Sequence, residues 1–563
     1  MTNNLNLRTG GQILVDQLRI HGADTIFCVP GESYLATLDA LFDVQNDIKL
    51  VVCRQEGGAA YMAEAYGKLT GRPGICFVTR GPGATNASLG IHTAHQDSSP
   101  VILLVGQVGR AMMDREAFQE VNFREMYAPL SKWVTQIDDP NRIPEVMSRA
   151  FHAATSGRPG PVVIALPEDM QKEKASVNDA LRYKPINPAP PPAAMARLEE
   201  MLKTSKKPFV ILGGSGWTQS SCRDFREFIE NFNLPVGAAF RRQDLIDNRH
   251  QNYAGDVGLG INPPLAKRLQ DSDLLLVVGA QMTEVITDGY ERFSIPCPSQ
   301  TLVHVAAGLD ELARVYEPEL AIHSGMEHFA AAAKSLAVPK KVVWSNWTKG
   351  ARSDQNQNIT IPKMKGEVDL GSIIQWLGER LPDNSIIANG AGNFSNWVHR
   401  FYPYRSYPTE LAPQSGSMGY GVPAAVAAKI VHSDRIVVSF NGDGDFLMCG
   451  QEIATARQYN LAIVFIVINN GTYGTIRMHQ ERFYPGRVSG TDLINPDFAA
   501  LGKAYGLTGE VVETTEQFSP AFERALSSNG PAMIEVRIEQ DQISPRATLS
   551  GLREVNEKNR VIS

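Results

Sequence analysis

The clearest alternation of apolar and polar positions in this chain lies between Arg435 and Asn470. Ile436-Val437-Val438-Ser439-Phe440 is an apolar, β-branched run, the form of a buried strand. It ends in Asn441-Gly442-Asp443-Gly444-Asp445. A segment of helical period comes next, with Ile453, Ala454, Ala456 and Tyr459 near one face. A second apolar run, Ala462 to Ile468, predicts another strand that stops at Asn469-Asn470. Strand, crossover helix and strand make the two strands parallel neighbours. Their carboxyl ends then lie side by side, at the edge where open α/β sheets bind ligands.

The same alternation organises the rest of the chain. From Thr9 to Pro185 the pattern predicts a helix over 11–22, a strand over 25–29, a turn into a helix at Pro30-Gly31-Glu32-Ser33, and a strand over 48–53. A helix over 59–69, a strand over 75–79, a loop over 81–86 and strands over 100–105 and 161–166 come after these. Strand alternating with helix argues for a parallel sheet covered on both faces. The proline-rich stretch Lys184 to Pro192 predicts an extended linker. Beyond it, strands at Phe209–Leu212, Leu234–Val236 and Leu274–Val278, with Gly213-Gly214-Ser215-Gly216 after the first, predict a Rossmann-like region. A polar stretch, Pro339 to Asp369, reads as a second linker. The expected fold is α/β: three doubly wound parallel-sheet domains at 1–185, 193–338 and 370–545, with a charged, helix-like tail over 546–563.

Composition narrows the class. At 563 residues the chain is long enough for about three domains. A net charge of −6 without a Lys/Arg run argues against a nucleic-acid partner. No apolar run approaches the roughly 20 residues that span a membrane. The polar start, Met1 to Gly10, lacks the form of a signal peptide. The six cysteines are scattered without Cys-x-x-Cys spacing and read as reduced core thiols of a cytoplasmic protein.

At the sheet edge, Asp443 supplies a carboxylate and Asn470 an amide oxygen, hard ligands that suit Mg²⁺. Gly442 and Gly444 let the backbone approach a diphosphate. Gly-Asp-Gly, a spacer of this length and Asn-Asn together resemble the diphosphate-anchoring motif of thiamine diphosphate (ThDP) enzymes. Glu56-Gly57-Gly58-Ala59-Ala60 resembles the place where that family keeps its activating glutamate, although a glutamate in a helix's first turn also has a plain electrostatic reason to be there. Gly81 to Asn86 resembles the loop that flanks the aminopyrimidine, and Phe118-Gln119-Glu120 resembles a signature of the acetolactate synthase branch. Ser415 to Ala425 resembles the stretch whose hydrophobic residue, here Met418, wedges the cofactor into a bent shape; a core-filling Met is the simpler reading of that residue alone.

The resemblance implies a pyrimidine-binding, a central and a diphosphate-binding domain, with ThDP and Mg²⁺ as cofactors. It implies Glu56 as the catalytic residue. It also implies cofactor contacts from Pro30, Gly31, Glu56, Thr79, Pro82, Asn86 and Gln119 in the first region. In the third they come from Ala391, Gly392, Asn393, Phe394, Gly416, Met418, Gly442, Asp443, Gly444, Asp445, Asn470, Thr472, Tyr473, Gly474 and Thr475. The implied metal ligands are Asp443, Asn470 and Thr472. FAD, held by the central domain of some relatives, is doubtful. Gln281-Met282-Thr283-Glu284 and His304-Val305-Ala306-Ala307 stand where flavin-binding synthases carry Arg/Asp-rich and acidic turns.

What the family does implies the function: decarboxylation of a 2-keto acid with carboligation to a second carbonyl. A simple 2-keto acid or acyl-CoA decarboxylase, a flavin-coupled oxidase and a non-catalytic ThDP-binding protein are the alternatives. Substrate contacts are expected from Glu32, Arg80, Gln119, Arg477 and His479, with a solvated or salt-bridged role open for each. The family also implies a homodimer or homotetramer in which Glu56 of one chain serves the cofactor held by another.

Overall fold

In the computed structural model, which describes residues 7–362 and 366–562, three six-stranded sheets form the frame. Every ladder in them is parallel. The chain separates into two compact units, Met1–Ile186 with Val426–Val431, and Asn187–Ala425 with His432–Ser563. The first unit holds one sheet and the second holds two.

The N-terminal sheet runs through β1 (Thr25–Cys28), β2 (Lys49–Val52), β3 (Gly74–Val78), β4 (Val101–Gln107), β5 (Trp133–Gln136) and β6 (Pro161–Pro167). Their order is β2-β1-β3-β4-β6-β5. β3, β4 and β6 are buried at every residue, as strands covered on both faces must be. β5 escapes the hydrophobic pattern because it is a half-buried edge strand, with Arg149 stacked on Trp133. Two helices matter for the site, α1 (Glu56–Thr70) and α2 (Gly81–Asp97). The loop expected over 81–86 is therefore the opening of α2. Pro82 misleads the sequence reading, since the first turn of a helix has no use for its missing N–H.

The central sheet comprises β7 (Pro208–Leu212), β8 (Val236–Ala239), β9 (Tyr253–Val257), β10 (Leu274–Val278), β11 (Thr301–Ala306) and β12 (Leu320–His323). Its order, β9-β8-β7-β10-β11-β12, is the Rossmann order. β8 starts only at Val236, after Pro235, rather than at Leu234. The polar stretch expected to be a second linker contains a 14-residue helix, α3 (Ser345–Asn358). Tertiary contacts make that helix. The Trp344 indole N–H donates to the Phe232 carbonyl, Ala351 is buried, and Arg268 holds Asp354 at 2.6 Å. Residues 363–365 of that stretch, and the first six of the chain, lie outside the described residues.

The C-terminal sheet is built from β13 (Ile386–Asn389), β14 (Glu410–Leu411), β15 (Val437–Gly442), β16 (Ile463–Asn469), β17 (Thr508–Val512) and β18 (Ala532–Arg537). The order β14-β13-β15-β16-β18-β17 repeats that of the first sheet. β15 and β16 are parallel neighbours with Gly442 opposite Ile468. The crossover between them is broken rather than one helix. It comprises α4 (Asp443–Cys449), a 3-10 turn at Gly450–Glu452 and a short helix at Ile453–Gln458. α5 (Gly474–Phe483), the last sheet strands and an antiparallel hairpin of Gln542–Ser544 with Ala547–Thr548 are followed by α6 (Leu549–Ile562).

All six cysteines are free thiols. Four are buried, Cys222 is half-buried, and Cys297 departs from the expected core position by lying exposed between two prolines. Among the described residues no helix is long and apolar enough to cross a membrane.

Candidate functional site

The carboxyl ends of β13, β15 and β16 open onto a cavity of about 700 Å³ in the C-terminal unit. Within the sheet, β13 connects outward to β14 while β15 continues on the other side, so this is a topological switch point. Ala391-Gly392-Asn393-Phe394 come off the end of β13, Asp443-Gly444-Asp445 off β15 and Asn470 off β16, and all of them line the cavity.

Asp443 is 4 % exposed. Its Oδ1 accepts the Gly444 N–H at 2.9 Å, and its Oδ2 accepts the Gly471 N–H at 2.8 Å and the Asn495 side-chain amide at 2.7 Å. Burial raises its pKa above the ordinary carboxylate value, against these hydrogen bonds. No Lys, Arg or His among the described residues forms an ion pair with it. Among the described residues the Asn470 Oδ1 receives a long bond from the Thr472 N–H, 3.3 Å. The Thr472 hydroxyl donates to the Thr491 carbonyl at 2.9 Å.

These residues fit a divalent cation and a diphosphate. A buried carboxylate without a cationic partner is costly, and a bound Mg²⁺ would relieve that cost with the hard oxygens present. The backbone comes close at the glycines. A Cβ on Gly444 would stand 2.5 Å from the Tyr473 ring, and one on Gly442 2.9 Å from the Phe394 ring. Gly416, with φ of 67°, has nothing within 4 Å of a Cβ direction, so that side of the residue faces open cavity. Met418, half-buried, lines the same cavity.

Asp445 does a different job from Asp443. Its Oδ1 accepts the Ala391 N–H and the Gly419 N–H, each at 2.9 Å, so it ties the loop after β13 to the Gly416–Met418 stretch. Thr475 on α5 donates to Asn393 Oδ1 at 2.9 Å and fixes that loop from the other side.

In the N-terminal unit the ends of β2, β1 and β3 gather a second set. Asn86 on α2 donates to Glu56 Oε2 at 2.9 Å, and Gln55 caps α1 just before Glu56. A Cβ on Gly83 would lie 3.3 Å from Glu56 Oε1, and one on Gly31 2.5 Å from Thr79 Cβ. Gly31, Thr79, Gly83 and Asn86 thus belong to one strand-end cluster with Glu56, and Pro30 and Pro82 are the chain neighbours of its glycines. The Gly81 N–H donates to the carbonyl of Gln119, which holds a left-handed φ of 65°.

Three family models match the chain: the N-terminal TPP binding domain of thiamine pyrophosphate enzymes over residues 8–126, their central domain over 195–333, and their C-terminal TPP binding domain over 390–536. The chain belongs to the thiamine pyrophosphate enzymes. The two TPP-binding matches fall on the two sheets that share one strand order, and the central match falls on the Rossmann-order sheet. The chain is 29 % identical to an acetolactate synthase large subunit of Lactococcus lactis, over 95 % of this chain and 93 % of the relative. It is 28 % identical to the acetolactate synthase isozyme 2 large subunit of Escherichia coli, over 94 % and 96 %. A probable acetolactate synthase large subunit of Methanocaldococcus jannaschii is 28 % identical over 96 % and 94 %.

The remaining sequence-predicted residues of this thiamine pyrophosphate enzyme divide by environment. Arg80 is buried and paired with Glu32 at 3.2 Å and Glu168 at 2.7 Å. Arg477 pairs with Glu481 at 2.5 Å and is not among the cavity-lining residues. His479 does border the cavity, stacked on Phe483. Burial, helped by Arg482, lowers its pKa. The sequence reading missed Asn495. The signal for it is modest: Asn495-Pro496-Asp497 opens a helix, with Asp497 as its N-cap.

Proposed function

We propose that this protein is a ThDP- and Mg²⁺-dependent enzyme that decarboxylates a 2-keto acid and joins the remaining fragment to a second carbonyl. The observation that carries this reading is the buried Asp443 carboxylate, with no ion pair among the described residues, set beside Asn470 at the ends of adjacent parallel strands. The acetolactate synthase relatives support the reaction class.

When bound, ThDP supplies a nucleophilic carbon and an electron sink for the loss of CO₂. The chain supplies placement. Asp443, Asn470 and the Thr472 carbonyl would hold Mg²⁺, and with it the diphosphate. Gly442 and Gly444 keep side chains out of that approach. Met418 would support the bend of the cofactor, and the Gly416 carbonyl would accept from the 4′-amino group. Glu56 would hold the proton at N1′ of the aminopyrimidine, a carboxylate role of general acid–base type. Asn86 fixes the orientation of that carboxylate. As the family resemblance implies, the active form would be a homo-oligomer in which a second copy supplies Glu56. We place this activity in the cytoplasm.

The test is CO₂ release and product identification from a panel of 2-keto acids, with the visible spectrum of the same sample recorded. ThDP- and Mg²⁺-dependent CO₂ release with a 2-hydroxy ketone product is the expected result. Failure to release CO₂ from every acid overturns the reading. Flavin absorbance with electron transfer to an acceptor would move it to an oxidase.

A further inference from the structure

Among the guanidiniums that line the cavity of the C-terminal unit, those of Arg400 and Arg546 share one anchor and have no carboxylate partner among the described residues. Arg400 leaves the helix Ser395–Phe401, and Arg546 sits in the turn of the hairpin before α6. Both line the cavity and both are held on Asn358, the last residue of α3. Arg400 Nε donates to the Asn358 carbonyl at 2.6 Å, and Arg546 Nη2 donates to Asn358 Oδ1 at 2.8 Å. The other bonds go from Arg400 Nη1 to the Pro545 carbonyl at 3.4 Å, and from Arg546 Nη1 to the carbonyls of Gly260 and Ile261 at 3.1 and 3.0 Å.

Every one of these acceptors is a neutral oxygen. They orient the two groups and leave their charges uncompensated. Among the described residues neither arginine has an ion pair, whereas Arg80, Arg268, Arg477 and Arg553 each have one. Arg400 Nη2 and Arg546 Nε have no protein partner among the described residues. Burial and, after it, the neighbouring Arg546 hold the Arg400 pKa down at about 10. Asp256, the acid on the central-sheet side of the cavity, feels the charge of Arg241 rather than of this pair. Two like charges fixed on one residue, with donors left over, form an arrangement that an anion would stabilise.

We propose that Arg400 and Arg546 form a subsite for a second anionic group of the substrate, a carboxylate carried at the end of the chain away from the 2-keto acid function. This rests on the 2-keto acid reading above and narrows it to a dicarboxylic donor or acceptor.

The test is a calorimetric titration of the ThDP- and Mg²⁺-loaded protein with glutarate and with pentanoate, which share a chain length and differ by one carboxylate. Glutarate is expected to bind at least about tenfold more tightly. Arg400→Gln and Arg546→Gln should each bring the two acids toward parity, and Arg400→Lys, which keeps the charge, should retain most of the preference. In turnover, the ratio of kcat/KM for 2-oxoglutarate over 2-oxopentanoate should fall in the same variants. Parity in the unaltered protein, or a preference that survives both Gln variants, overturns the subsite. ADP binding that is lost in these variants while the two acids bind alike also overturns it, assigning the pair to a phosphate. If no 2-keto acid is turned over, the catalytic reading fails, and the titration still decides the subsite.

Discussion

Asn495 donates its side-chain amide to Asp443 Oδ2 at 2.7 Å, while also bonding Asn469 Oδ1 at 2.9 Å. It therefore helps to aim the carboxylate. Groups of this kind tune metal affinity about 10–100-fold. Asn495→Ala should weaken Mg²⁺ and ThDP binding by about tenfold, with kcat at saturating cofactor changed far less. A cofactor titration followed by intrinsic fluorescence, paired with saturating kinetics, separates the two.

Gly416 sits in a left-handed conformation with open cavity beside it. In Gly416→Ala the methyl costs about 1 kcal/mol in backbone strain and enters the cavity proposed to take the cofactor. The variant should fold, melt a few degrees lower, and bind ThDP more weakly. Unchanged ThDP affinity would remove Gly416 from the site.

Glu56→Gln keeps the size of the side chain and its contact with Asn86 but not its charge. Turnover should fall by about 10²–10⁴-fold, with ThDP binding retained by calorimetry. Activity close to the unaltered level would return Glu56 to the plain role of a first-turn glutamate.

Glu410 is buried beside Asp244, and burial first, then that neighbour, pushes its pKa well above the ordinary carboxylate range. A carboxyl raised on folding favours the fold below its unfolded pKa, and the contribution is lost as pH rises through the folded value. Glu410→Gln can still accept the Gln243 N–H through its amide oxygen. Urea unfolding of the cofactor-free protein from about pH 5 to about pH 8 should show a loss of stability that is smaller in the variant. Parallel curves for the two proteins would show that Glu410 does not titrate in this window.

The C-terminal helix α6 is fastened by Arg553, which pairs with Glu481 on α5 at 2.6 Å. That pairing first, with the Gly486 N–H and Arg477, holds the Glu481 pKa at about 2. A depressed carboxyl stabilises above its unfolded pKa, and that contribution is lost only as pH falls toward about 2, so the latch stays closed at neutral pH. Arg553→Gln should speed hydrogen exchange across 549–562 while leaving β15 and β16 protected. Equal exchange in both proteins would mean that the apolar contact of Leu549 and Leu552 with Met478 and Ile543 holds the helix alone.

The strands that carry the site were legible because they are buried on both faces. β15 and β16 appear as mainly apolar runs, with Ser439 and Asn441 the polar exceptions within β15, and the residues just past the carboxyl end of such a run are readable as site material. Asp443 and Asn470 were singled out in this way; Glu56, which follows the partly exposed edge strand β2, was singled out by its resemblance to the family motif. Elements made by tertiary contact were not legible. α3 has a polar sequence and exists because Trp344 and Arg268 anchor it; β5 is a half-buried edge; and the opening of α2 was hidden by Pro82 among glycines. Arg80 and Glu32, polar positions expected at the substrate, sit in an ion-pair network that joins them to Glu168, distant in sequence.

The sequence by itself determined the class of fold and the chemistry at the strand ends. Both arise from local rules, the period of apolar residues and the residue types that end each strand. Only the tertiary structure decided that the first and third sheets share one strand order, that Asn495 bonds Asp443, and that Asp445 ties the loop after β13 to Gly419. It also decided that Arg400 and Arg546, far apart in sequence, meet on Asn358. Such pairings depend on which segments pack together across long chain separations, and no local pattern of hydrophobic and polar residues encodes them.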